Sequence, residues 1–141
     1  MNGNLPFTYE EMSMKLKAYF DETKGMGVLS TADDQGRVNA AVYARPHFMD
    51  DGSPAFIMRD RLSHHNLQSN PHAAYLFREE APGYRGVRLH LTKTHEESGT
   101  PLVKELCRRC RIDDKPDAVR YLVVFKIDKE LPLIGAGESP D

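Results

Sequence analysis

Arg59, Arg61, Ser63, His64 and Asn66 stand together where an apolar run ends and a short polar, helix-like segment begins, in PAFIMRDRLSHHNLQSNPHAAYLF, Pro54 to Phe77. Two guanidinium forks lie beside a hydroxyl, an amide and a helix N-terminus. Fork geometry matches phosphate oxygens, and the first N–H groups of a helix have no intrahelical acceptor. The order strand, basic turn, short helix, strand therefore forms a plausible cradle for a phosphorylated ligand. A surface turn with ordinary solvated arginines uses the same residues, and composition alone does not separate the two.

Other chemistry-bearing residues give weaker signals. Cys107-Arg-Arg-Cys110 is a CxxC near the end of a predicted helix. Without a second pair it is a poor zinc signal, and a structural or incidental role competes with a redox pair whose thiol pKa the flanking arginines would lower. His64 and His65 are adjacent, and His47, His72, His90 and His95 are scattered. Neighbouring side chains diverge on a strand or a helix, so ordinary polar roles fit better than metal ligation. Asp33-Asp34, Asp50-Asp51 and Glu79-Glu80 fall in turns, where solvation explains them better than acid–base catalysis. The charge run Lys104 to Asp114 reads as a solvated helix face, with Arg108, Arg109 and Arg111 available to a partner's acids.

The chain has 141 residues and a formal net charge of −2 from 19 basic and 21 acidic side chains. That length suits a single domain over residues 1–141, with a real core. The balanced charge gives no general attraction to nucleic acid or to an anionic membrane, so any anion would be bound by a local cluster. No apolar run approaches the roughly 20 residues of a transmembrane helix. The N-terminus MNGNLPFTYEEM has neither the basic nor the apolar region of a signal peptide. The expected compartment is the cytoplasm, where both cysteines stay reduced.

The elements that must position the cradle follow from pattern. Thr8 and Glu11 have capping-box spacing, and Tyr9, Met12, Leu16 and Tyr19 or Phe20 recur at helical spacing, predicting a helix over about 8–21. Strands are predicted at 26–31, 38–48, 55–58, 73–77, 87–94 and 121–127, the last continuous and apolar enough to be central. Asp33–Gly36 and Asp50–Ser53 read as hairpin turns, and Pro46 places the far end of the second strand at an edge or bulge. Thr100-Pro101 predicts an N-cap for a helix running to about Arg111. Residues 128–141 read as an extended tail. Six strands in successive hairpins favour a mainly β fold with flanking helices, a closed antiparallel barrel.

The order GVLSTADDQGRVNAAVYARP, AFIMRDRLSHHNLQSNPHAAYLF, GYRGVRLHLTKT resembles the FMN-binding split-barrel family, typified by pyridoxamine 5′-phosphate oxidase and small flavin-binding proteins. The resemblance spans roughly residues 7–130. It implies a six-stranded antiparallel Greek-key split barrel, a homodimer with FMN at the subunit interface, and a small-molecule electron donor or acceptor. Carried over, Arg59, Arg61, Ser63, His64 and Asn66 would hold the FMN phosphate. Tyr43, Ala44, Arg45 and Pro46 match the strand passing the flavin ring, and Met58 would pack on that ring. Tyr84 and Arg88 of a partner subunit would close the pocket. Two departures stand out: His64-His65 replaces the lysine many family enzymes carry in the phosphate segment, and the chain has no Trp. Vitamin B6 oxidases use a C-terminal region with Trp, Arg and His, which this tail does not match. The resemblance therefore implies a flavin-dependent oxidoreductase of unassigned substrate, not a pyridoxamine phosphate oxidase; a non-catalytic FMN-binding electron carrier or flavin sensor is the alternative.

Overall fold

A computed structural model describes residues 8–109 and 119–135. The elements run α1 (Tyr9–Glu22), β1 (Gly25–Ala32), β2 (Val38–Tyr43), β3 (His47–Phe48), β4 (Pro54–Met58), α2 (Leu62–Ser69), β5 (His72–Glu79), β6 (Gly86–Ser98), α3 (Pro101–Arg109) and β7 (Tyr121–Pro132). All ladders are antiparallel, and the strands form one open sheet in the order β2-β1-β5-β6-β7-β4-β3. The expected mainly β architecture with flanking helices is found. The expected six-stranded closed barrel is not: among the described residues there are seven strands in one open sheet.

The extra strand arises at Pro46. Proline has no N–H to donate to a ladder and restricts the residue before it, so the run predicted as one strand over 38–48 ends at Tyr43 and restarts at His47. The two pieces lie on opposite edges of the sheet. Only Ala44, Arg45 and Pro46 join them, a connection that reaches at most about 14 Å. The sheet must therefore curl until its two edges face each other across a gap.

Local signals set most of the other elements. The Thr8 hydroxyl accepts from the Glu11 N–H at 3.1 Å and the Glu11 carboxylate from the Thr8 N–H at 3.3 Å, the reciprocal cap expected at the start of α1. Asp33 accepts from the Gln35 and Arg37 N–H groups, closing the β1–β2 turn with Gly36 at φ 81°. The Thr100 hydroxyl accepts from the Val103 N–H at 3.2 Å and Pro101 opens α3, as expected. The expected end of that helix at Arg111 and the second cysteine, Cys110, lie outside the described residues. β7 is central, between β6 and β4, because it is apolar on both sides. Its Val123, Phe125 and Ile127 join Phe20, Tyr75, Phe77 and Leu89 in the main core, while Leu122 and Val124 meet Val103 and Leu106 of α3. β7 also runs on to Pro132, paired with Val87, so the first part of the expected tail is strand. Among the described residues no helix is long and apolar enough to cross a membrane.

Two contacts fix the walls of the gap. Tyr75, fully buried, points its hydroxyl past Gly27 to the carbonyls of Tyr43 and Ala44, at 3.2 and 3.1 Å, and so holds the end of β2. Gly27 leaves room for it: a Cβ there would overlap the phenol. On the other side, His64 anchors α2. Its ring stacks on Tyr121 at 3.9 Å, its Nδ1 lies 3.0 Å from Asp60 and its Nε2 2.8 Å from Glu96. Burial pulls the Glu96 carboxyl upward, but hydrogen bonds from Lys93, Gln68 and His64 outweigh it and hold the group at about 2.

Both contacts give measurable expectations. Gly27→Ala overpacks Tyr75 and is expected to cost about 1–3 kcal/mol in urea unfolding. The depressed Glu96 carboxyl, at about 2 against its ordinary 4.5, stabilises the fold above pH 4.5, and that stability is lost as the pH falls towards 2. Glu96→Gln is expected to lower stability at neutral pH by up to about 3 kcal/mol. Thermal melts of the two proteins should converge as the pH is brought down through that window.

Candidate functional site

The gap between the sheet edges opens into a cavity of about 860 Å³. The end of β2, the Ala44–Pro46 connection and His47 form one wall. Phe56 and Ile57 of β4 form another, Phe20 and Asp21 of α1 close one side, and Arg59, Arg61, Ser63 and Arg120 supply a basic end. Among the described strands β2 pairs only with β1, so alternate backbone N–H and C=O groups on its other side are unpaired.

The basic end follows from the way β4 stops. The strand ends at Met58, and Arg59, Asp60 and Arg61 turn the chain into α2. Arg61 occupies the N-cap position in extended conformation, with no side-chain cap on the first turn. The opening N–H groups of α2 thus lack the side-chain acceptor that a Ser or Asp cap supplies. Ser63, in that first turn, is buried and hydrogen-bonds the Tyr43 hydroxyl. Burial pushes the Tyr43 hydroxyl above its ordinary value, against the lowering effect of Ser63, so the phenol stays neutral at physiological pH. Tyr43 therefore links the edge strand to the basic turn.

Arg45 has a structural task as well as a place in the wall. Its Nη1 donates to the carbonyls of Phe20 and Thr23, at 2.7 and 2.9 Å, capping the C-terminus of α1. A cation there satisfies orphan carbonyls and complements the negative end of the helix. The guanidinium ties α1 to the connection between the sheet edges, and Pro46 beside it is buried.

Of the residues singled out in the sequence, Tyr43, Ala44, Arg45, Pro46, Arg59, Arg61 and Ser63 come together around the cavity. Met58 does not line it; it is 1% exposed and packs in the main core. His64 does not face the basic end, because Tyr121, Asp60 and Glu96 engage it. Asn66 is buried and donates to the Thr31 hydroxyl at 3.0 Å, joining α2 to β1. Tyr84 and Arg88 lie elsewhere on this chain: Tyr84 is exposed beneath the Arg78 guanidinium, and Arg88 donates to the carbonyls of Pro132 and Gly135. Other described lining residues, among them Asp21, Phe56, Ile57 and Arg120, were not singled out as site residues. Arg120 could have been found only by knowing that β4 pairs with β7. Among the described residues no group of three or more His, Cys, Asp or Glu side chains is placed to hold a metal.

Comparison with known proteins places the fold. No family model matches the chain, and curated proteins give no match. Solved structures do. An FMN-binding protein from Syntrophomonas wolfei superposes with a TM-score of 0.65 at 20% identity, over 89% of this chain and 90% of that one. A pyridoxamine 5′-phosphate oxidase-like protein from Listeria innocua gives 0.61 at 16% identity, over 86% and 98%. HutZ, the heme storage protein from Vibrio cholerae, gives 0.62 at 16% identity, over 84% and 92%. Neighbours on one fold thus carry different prosthetic groups, and the ligand must be argued from the cavity itself. The chain has the split-barrel fold shared by FMN-binding and pyridoxamine 5′-phosphate oxidase-like proteins.

Proposed function

We propose that the protein binds FMN in the cavity at the sheet gap and acts as a flavin-dependent oxidoreductase. The observation that carries this reading is the cavity's polarity: a guanidinium and hydroxyl end at Arg59, Arg61 and Ser63, joined to an apolar wall at Phe56 and Ile57 and to an edge strand with unpaired backbone groups. The donor set fits a phosphate, the wall fits an aromatic ring system, and the edge fits that ring's polar rim. The volume lies within the range of small-ligand sites. FMN, when bound, supplies the electron transfer. The protein's own residues bind and orient. Arg59 and Arg61 meet the phosphate as charge-assisted donors. Tyr75 holds the Tyr43 and Ala44 carbonyls so that the edge strand keeps its place. Tyr43 and Ser63 keep that edge against the turn.

The working unit in this reading is a homodimer. Val42, Val28 and Leu76 form a cross-strand row over β2, β1 and β5 on the outer face, and Val42 and Leu76 are exposed there at 71% and 39%. Val42 also lines the cavity. A second copy on this face would cover apolar surface next to the bound flavin.

The reading is tested by adding FMN to the purified protein, removing the excess and recording the visible spectrum; retained flavin absorbance is expected, and a colourless protein would refute it. Arg61→Ala is expected to weaken FMN binding by about 1.5–3 kcal/mol in titration. Steady turnover of NADH or NADPH with an added acceptor is expected of an oxidoreductase, whereas a carrier or sensor would bind FMN without turnover. Val42→Lys is expected to shift the protein to monomers in sedimentation.

A further inference from the structure

β4 and β7 leave their shared ladder side by side. Its last paired residues are Met58 and Tyr121, so the next residue of one strand is Arg59 and the preceding residue of the other is Arg120. Opposed positions of an antiparallel pair share a face. Both arginines line the cavity, next to Arg61 and Ser63. The basic end is therefore built from two distant parts of the chain, the β4–α2 turn and the start of β7.

His64 locks these parts together. Its Nδ1 contacts Asp60, the acid between Arg59 and Arg61, and its ring stacks on Tyr121, next to Arg120. The Asp60 carboxylate, 3.0 Å from the imidazole, is thereby drawn toward His64. The phosphate segment from Arg59 to Asn66 contains no lysine. The structure brings a further cation from β7 instead.

We propose that Arg120 is a third phosphate-binding cation of this cavity, and that with Arg59 and Arg61 it selects a ligand ending in a phosphomonoester over the same ligand without its phosphate. A phosphomonoester presents three terminal oxygens and a charge of about −1.5 to −2 near neutral pH. Three forks can meet those oxygens with charge-assisted bonds, which two forks from one turn leave incomplete. The inference rests on the flavin reading of the cavity.

The test measures FMN and riboflavin binding, by quenching of flavin fluorescence, and pyrophosphate binding, by calorimetry. The proteins are the wild type, Arg120→Gln and Arg120→Lys, each checked by thermal melting. Arg120→Gln is expected to lose FMN affinity by about ten- to hundredfold while riboflavin affinity stays within about twofold. Arg120→Lys, keeping the charge but not the fork, is expected to fall between. If Arg120→Gln binds FMN as the wild type does, or weakens FMN and riboflavin equally, the proposal is overturned and the flavin reading stands. If the wild type binds no flavin, that reading fails and pyrophosphate decides: binding that Arg120→Gln abolishes supports Arg120 as an anion contact. Absence of pyrophosphate binding, or binding that Arg120→Gln leaves intact, overturns it.

Discussion

Three residues join the two edges of the sheet, and the rest of the structure follows from that short reach. Ala44, Arg45 and Pro46 are too few to let the edges of a flat seven-stranded sheet lie far apart. The sheet curls, its concave side fills with Phe56, Tyr75, Phe77 and Phe125, and a gap remains where proline interrupts the pairing. The cavity lies at that gap. Each of the three joining residues is also fixed from outside: the Ala44 carbonyl accepts from Tyr75, Arg45 caps α1, and Pro46 is buried. An opening that could collapse or widen is held at a set width by contacts to the inner core and to the first helix.

α2 shows how a short polar helix is kept in place. It has eight residues and little apolar surface, and its propensity alone would not hold it. Its inward face carries Ser63, His64, Asn66 and Leu67, all buried. Three of these are polar, and each has a partner: Tyr43, the Asp60–Glu96 pair with Tyr121, and Thr31. Buried polar groups with their partners in place specify one position, because any shift leaves donors unsatisfied. The helix start, and with it the arginine turn, is placed by hydrogen bonds more than by hydrophobic contact.

Much of this was legible from local pattern. The reciprocal cap at Thr8, the short helix after the arginine turn, the Asp33 turn and the central place of β7 each rest on a few adjacent residues, and each was read from them. Pro46 was read as an edge signal but not as the point where one strand becomes two, because the separation depends on which strands β2 and β3 meet across the fold. The family resemblance carries the role of ligand contact onto the positions of His64 and Asn66. Type says what a side chain can bond, and only the packing of α2 on β1, β6 and β7 says what it does bond. Arg120 carried no signal, since its relation to Arg59 exists only through the pairing of strands far apart in sequence.

The same pairing has a consequence for assembly during synthesis. Among the described strands, β3 joins the sheet only through β4, and β4 reaches the main sheet only through β7. β1, β2, β5 and β6 can form their ladders as soon as they leave the ribosome, but the β3–β4 pair has no strand of the main sheet to join until Tyr121–Val124 has been made. One wall of the cavity therefore waits for a segment far downstream, and closing so large a loop is slow and leaves strand edges open meanwhile. In a nascent chain the cavity is among the last features to exist.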